Sequence, residues 1–218
     1  PSSAGKTTFA KRLAIHLRVN GFQPLTIECD NYFVNRKDTP RDHKGEYDFE
    51  HVEALDIDLF NTHLQSLADG NEVNIPTFNF LEGKQEFLGN TLQMDKDNIA
   101  VIEGIHCLNP RLLENVPREQ IFKIYINNLT QLKLDNRQRI STTDVRLLRR
   151  MVRDARTRGH SSLRTLELWS NVRSGETKWI FPFQQEADAA FNSCLDYELA
   201  ILKNYARPLL AQVKPFHK

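Results

Sequence analysis

The sequence contains no apolar run approaching the ~18 residues that cross a bilayer, and it does not open on a basic segment leading into an apolar one. A membrane-spanning or exported protein is therefore not expected. Cysteine is scarce, and Cys29, Cys107 and Cys194 stand far apart in no C-x-x-C or Cys/His pattern. That argues against a disulfide framework and against a thiolate zinc site. Free thiols in a reducing compartment, and so a cytoplasmic protein, are the expectation. The seven histidines are scattered with no H-x-x-x-H pair, so no zinc is expected. An excess of charge is missing too. With 29 basic residues against 28 acidic, the net charge is +1, and nothing draws the whole molecule to nucleic acid or to an anionic membrane. Repeats and low-complexity tracts are absent. The hydrophobic share of 40% and charged share of 26% exclude disordered and collagen-like classes. What is left is a globular chain of 218 residues, enough for one large domain or one domain with a lid.

Periodicity supplies the elements. Phe9, Leu13 and Leu17 recur at helical spacing before Gly21, which predicts a helix over 6–20. Residues 24–29 form a short apolar run, expected as a buried strand ending at Asp30, and 31–46 read as a charged loop. A helix is expected over 56–68, with Phe60, Leu64 and Leu67 on one face. Residues 73–80 alternate around Pro76, turn at Glu82-Gly83 and continue to 86–88, a hairpin beside the main sheet. Residues 98–103 are the strongest strand, and 121–126 form another. Further helices are expected over 129–140, 143–158, 162–172 and 195–212, the last with Leu195, Leu199, Leu202 and Leu209 on one face. Strands alternating with helices predict an α/β fold with a largely parallel sheet.

The chemistry begins at the first residues. Ser2-Ser3-Ala4-Gly5-Lys6-Thr7-Thr8 reads as a phosphate loop without its opening glycine. Backbone N–H groups around Ser3 to Lys6 would wrap a phosphate at the positive end of the next helix. Lys6 would neutralise phosphate oxygens, and the Thr7 hydroxyl would meet Mg²⁺. Such a loop normally follows a buried strand, so the chain is expected to be a piece of a longer protein, and its last residues suggest the same. Asp30 ends the first strand, where it can accept a hydroxyl proton, hold the Mg²⁺ shell or simply cap a turn. Glu103 ends the strongest strand, the place of a metal-side acid. Arg146, Arg149, Arg150, Arg153, Arg156 and Arg158 crowd one helix beside Val145, Leu148 and Val152. They suit a lid over a triphosphate, a solvated helix face or an RNA patch. Tyr47-Asp48-Phe49-Glu50-His51 is read evenly as an acceptor pocket or a loop anchor. Trp169 and Trp179 are expected in packing.

In order, the phosphate loop, the strand-end Asp30-Asn31-Tyr32-Phe33, Y-D-F-E-H, I-P-T-F-N-F, I-E-G-I and R-D-A-R-T-R-G resemble the phosphoribulokinase/uridine kinase family over nearly the whole chain. The resemblance is greatest to bacterial uridine-kinase-related nucleoside kinases, whose members often carry an N-terminal portion similar to threonyl-tRNA synthetase regulatory modules. It implies one P-loop kinase domain over 1–218, with a hairpin flap at about 71–97 and a helical lid at about 141–175. It implies MgATP as phosphate donor, a small-molecule hydroxyl as acceptor and no nucleic-acid or membrane partner, and it leaves room for a homo-oligomer. Asp30, Lys6 and Arg153 would carry catalysis, with Asp30 as base. Residues 2–8 and Arg158 would hold ATP, and Thr7 and Glu103 the metal. Tyr32, Tyr47, Phe49, Glu50, His51, Phe78 and Arg150 would face the acceptor.

The family's pyrimidine readers are a tyrosine and a histidine in the hairpin. Phe78 and Gly83 stand there instead, Glu50 replaces an aspartate, and His160 an arginine. The acceptor therefore stays open between a nucleoside and another metabolite of the pantothenate or sugar-phosphate type. A nucleotide-binding regulatory or RNA-associated module is the further alternative.

Overall fold

The computed structural model describes residues 1–133 and 135–214. Helix α1 (Lys6–Val19) starts directly on the phosphate loop, where Gly5 takes a left-handed backbone with φ +86°. Only glycine adopts that conformation without strain. The chain then enters β1 (Gln23–Glu28) and a 3-10 turn, Cys29–Tyr32, that carries Asp30 just past the strand end. Asp56 caps α2 (Ile57–Ala68) by accepting from the Leu59 N–H at 3.0 Å, and the helix buries Phe60, Leu64 and Leu67 as its spacing predicts.

The strand expected over 73–80 is divided. β2 (Val73–Asn74) stops before Pro76, which has no N–H to extend a ladder, and β3 (Thr77–Asn79) resumes after it. β3 pairs antiparallel with β4 (Lys84–Glu86), and β2 with β5 (Thr91–Leu92). These two pairs make a hairpin region of its own. β6 (Asn98–Glu103) returns to β1 in parallel, in register from Gln23–Asn98 to Glu28–Glu103. Both strands thus end together, and the turns after them share one edge. This also brings Cys29 and Cys107, distant in sequence, to an Sγ–Sγ separation of 3.5 Å as free thiols.

β7 (Ile124–Asn127) begins three residues later than predicted. The helix expected over 129–140 is not formed; Leu134 lies outside the described residues, and the others make an irregular excursion closed by a Lys133–Arg139 bridge. Side chains there capture the backbone donors a helix would use. Asn192 takes the Leu129 N–H, Thr142 the Thr130 N–H, and Asp135 those of Arg137 and Gln138. Ser141 then caps α3 (Thr142–Thr157), and Ser161 caps α4 (Ser162–Gly175). A five-residue π turn, Glu176–Ile180, and a 3-10 turn lead to β8 (Ala189–Asn192), parallel to β7. Last, α5 (Glu198–Leu210) packs on α3, its inward face formed by Leu199, Leu202, Ala206 and Leu209. Leu195 precedes the helix and is exposed.

The main core joins β1, α2 and the hairpin region through Ile27, Cys29, Tyr32, Phe60, Leu67 and Val73, with Trp179 packed against it. α3 departs from its simplest reading. Its buried residues are Val145, Arg146, Arg150, Met151 and Asp154, so two arginines lie on the inward face.

Candidate active site

The joint end of β1 and β6 gathers the predicted groups. The Thr7 hydroxyl, in the first turn of α1, donates to the Glu103 carboxylate. Lys6 folds back over its own loop, its ammonium donating to the Pro1 carbonyl at 3.1 Å. Burial raises the Glu103 carboxyl above its ordinary range, against the opposing pull of Lys6 and the Thr7 bond. A hydroxyl and a carboxylate side by side suit a hard cation such as Mg²⁺, which keeps most of its shell as water and phosphate oxygen. Ser3 shares the left-handed backbone of Gly5 (φ +56°), and Thr8 is exposed on the first helical turn.

The loop is held in shape from outside by arginines of the Arg-rich helix and by two groups that sequence reasoning did not single out, Ser193 and Glu176. The Ser2 carbonyl accepts from Arg146 at 3.1 Å, the Ser3 carbonyl from Arg149 at 3.3 Å and the Ala4 carbonyl from the Ser193 hydroxyl at 2.5 Å. The Ser2 N–H donates to Glu176 at 3.1 Å, and Arg150 donates to the Ser2 hydroxyl at 2.8 Å. Arg146 and Glu176 form a forked ion pair, 1% and 0% exposed, which Arg173 completes at 2.8 Å. Burial favours the neutral Glu176 acid, but the Arg146 bond and charge outweigh it and hold the carboxyl below its usual range. Arg149 likewise pairs with Glu198 of α5. A signal for this was present. Arg146, Arg150 and Asp154 succeed one another at intervals of four, which places them on one helical face.

Asp30 lies 3.8 Å from Arg158, whose guanidinium also covers the Phe80 ring at 4.8 Å. Arg158 thereby links the predicted base to the hairpin, where Phe33, Phe78 and Phe80 pack together. The Phe78 N–H donates to Asn31, next to Asp30, at 3.4 Å. Glu50 sits 3.8 Å from Arg150, and burial pushes its carboxyl up to about 7 despite that arginine. His51 stacks edge-on against Trp179 at 4.4 Å, its Nδ1 accepting from the Glu53 N–H.

Other predicted residues stand apart. Tyr32 is not available to an acceptor. It is 1% exposed, packs edge-on against Phe60 and hydrogen-bonds His63 at 3.0 Å, because the 3-10 turn sends it into the core. Arg153 is bound to the neighbouring Asp154 at 2.8 and 3.0 Å and does not reach the phosphate loop. Tyr47 lies beneath the Arg41 guanidinium and against the exposed Phe49, within their own loop. Gly83 cannot be replaced by a side chain that reads an acceptor. Its φ is +69°, and a Cβ there would come 2.7 Å from the Arg36 guanidinium.

The family model described as the phosphoribulokinase/uridine kinase family matches residues 1–200. Uridine kinase of Chloroflexus aurantiacus is 27% identical over 191 residues, covering 87% of this chain and 82% of that protein. Uridine kinase of Staphylococcus aureus is 26% identical over 86% of this chain and 81% of that protein. Uridine kinase of Saccharomyces cerevisiae is 28% identical over 92% of this chain, but over 37% of its own length. Among solved structures, a Bacillus stearothermophilus protein described as a possible uridine kinase aligns with TM-score 0.52 at 19% identity, over 87% of this chain and 83% of that one. A Silicibacter protein described as a candidate fructose transport system kinase aligns with TM-score 0.56 at 15% identity, over 88% and 85%.

Proposed function

The chain belongs to the phosphoribulokinase/uridine kinase family, and from that premise we propose that it transfers the γ-phosphate of ATP to a hydroxyl of a nucleoside-like acceptor. The observation that carries this reading is the meeting of the phosphate loop, Glu103 and Asp30 at the common end of two parallel strands. Ligands of open α/β sheets bind at that edge.

In this reading the loop amides and the start of α1 receive the triphosphate, and Lys6 leaves the Pro1 carbonyl for the phosphate oxygens. Mg²⁺, held by Thr7 and Glu103, would neutralise charge on the transferring group. Arg158, at the far end of α3, releases Asp30 as that end of the lid over 141–175 and the flap over 71–97 close, while the start of α3 stays bound to the loop, and Asp30 takes the acceptor proton. The loop is already fixed by Arg146, Arg149 and Ser193, so little reorganisation is needed when charge develops.

A kinase acting on another metabolite is the second reading. It is favoured by the hairpin, where Phe78 has no hydrogen-bonding tip and Gly83 has no room for one. An RNA-associated role loses support, since Arg146 and Arg150 are buried against the loop instead of facing solvent. No helix among the described residues is long and apolar enough to cross a membrane, and with its free thiols the protein is proposed as cytoplasmic.

Asp30→Asn tests the assignment. Loss of a general base lowers kcat by about 10²–10⁴, while nucleotide affinity by titration calorimetry stays unchanged. Near-normal turnover by this variant would remove Asp30 from the role.

A further inference from the structure

One carboxylate stands among the arginines of α3. Asp154 is 0% exposed and follows Arg150 by one helical turn, with Arg158 one turn further on, so the three share a face. Its Oδ1 accepts from Arg153 Nε at 3.0 Å and Nη2 at 2.8 Å, and stands 3.9 Å from Arg158 Nε. Its Oδ2 stands 3.3 Å from Arg150 Nε and 4.0 Å from His160 Nδ1. The main chain is tied to the same residue. The Asp154 carbonyl accepts from the Arg158 N–H at 3.0 Å and from the His160 N–H at 3.3 Å, where Gly159 (φ +65°) turns the chain back at the helix end.

These contacts are one-sided. Asp154 meets Arg150 and Arg158 at Nε, on the stem side of each guanidinium, and leaves the outer nitrogens to other partners. Arg150 turns Nη1 to the Ser2 hydroxyl, 2.8 Å away, and to Glu50 at 3.8 Å. Arg158 turns Nη2 to Asp30 at 3.8 Å. One tip therefore lies against the phosphate loop and the other against the proposed base, and a single buried carboxylate braces both.

A guanidinium fork binds an oxyanion strongly only when its planar donors are aimed at it, and an unbraced side chain of this length loses rotamer freedom on binding. A buried ion cluster is a weak source of stability, since apolar residues of like volume often serve as well. What a carboxylate fixed at this point supplies is direction. Burial also favours the neutral ring of His160, so one carboxylate faces three guanidiniums and positive charge stays in surplus for an incoming anion.

We propose that Asp154 is a positioning residue for phosphoryl transfer, bracing the stems of Arg150 and Arg158 so that their outer nitrogens face the γ-phosphate of ATP between the loop and Asp30. This rests on the kinase reading above. Arg158 then passes from Asp30 to a phosphate oxygen while its stem stays on Asp154, and Arg150 keeps its hold on Ser2.

A double-mutant cycle in nucleotide affinity tests it, read by titration calorimetry with MgATP on Asp154→Asn, Arg158→Met and the two combined. Asparagine keeps the shape of the side chain and removes its charge. Asp154→Asn should weaken ATP binding about tenfold, and the double variant should fall well short of the product of the two single losses, because the carboxylate acts through that arginine. A merely structural role would lower the urea midpoint and leave the affinity alone, or give losses that multiply. ATP affinity unchanged or tightened in Asp154→Asn overturns the proposal, and so do losses that multiply in the double variant. If Asp154→Asn does not fold, Asp154→Glu takes its place in the same cycle, keeping the charge but moving it by one methylene, with the same outcomes deciding. ATP bound by the wild-type protein with no acceptor phosphorylated would end the transfer reading alone, and the cycle would still decide on Asp154. No binding of ATP by the wild-type protein would end both.

Discussion

Glu50 is held at about 7 by burial among Arg150, Glu176, Asp30 and Lys6. Its folded value lies above the ordinary 4.5, so the folded protein keeps a proton that the unfolded chain has already released. That contribution to stability is complete below about pH 4.5 and is lost as pH rises through about 7. Glu50→Gln removes the loss. The urea midpoint of the variant should gain on wild type from pH ~5 to ~8 and the gain should then level off. A gap that stays constant with pH would contradict the environment assigned to Glu50. His106 titrates in the opposite sense but is common to both proteins and cancels in the difference. At this scale the sequence was a good guide to residues at or just past a strand end, Glu103 at the end of β6 and Asp30 in the turn two residues beyond β1. It misled where a turn decides direction. Tyr32 stands two residues past Asp30 and points into the core.

Among the elements, α3 decides how the site is supported. Its Arg146 joins Glu176 of the π turn and the Ser2 carbonyl in a site closed to water. Removing one partner of such a pair strands the other charge and costs about 3–5 kcal/mol. Arg146→Met should therefore show a lower urea midpoint, and Arg146→Met with Glu176→Gln should recover much of the loss. An unchanged midpoint for the single variant would show the pair to be without weight. At the junction of α4 and the π turn, Gly175→Ala sets a Cβ against Glu50. It should raise acceptor KM about tenfold, as expected of an ångström-scale displacement, with the KM for ATP unaffected. Helices with clear periodicity, α1 and α2, were legible from spacing alone. The stretch over 129–140 was not, because the groups that take its backbone donors include Asn192 and Thr142, which only tertiary structure brings near. The π turn has no periodic signature of its own, but Trp179 within it was read as a packing residue and packs against the main core.

Across the whole molecule, the alternation of strands and helices predicted an α/β architecture, and the structure gives parallel pairs β1–β6 and β7–β8 with helices around them. The register of β1 on β6 matches two apolar runs that each end in an acid, Glu28 and Glu103. What spacing alone does not convey is the closure around the phosphate loop. Ser2, Ser3 and Ala4 are held by residues 144 to 189 positions away, a set of contacts that exists only once the chain has folded. The fold thus brings together the phosphate loop, a carboxylate beside it and a face bearing Glu50, His51 and the hairpin, which we propose receive the nucleotide and the acceptor. The central claim is that this arrangement transfers phosphate to a small hydroxyl acceptor. Its most direct test is ³¹P NMR of the protein with MgATP and, in turn, uridine, other nucleosides, ribose, pantothenate and sugar phosphates. A new phosphomonoester resonance growing with ADP in the presence of one acceptor, and lost in Asp30→Asn, is the predicted result; bound ATP that yields no acceptor-dependent phosphoester with any of them would contradict the account.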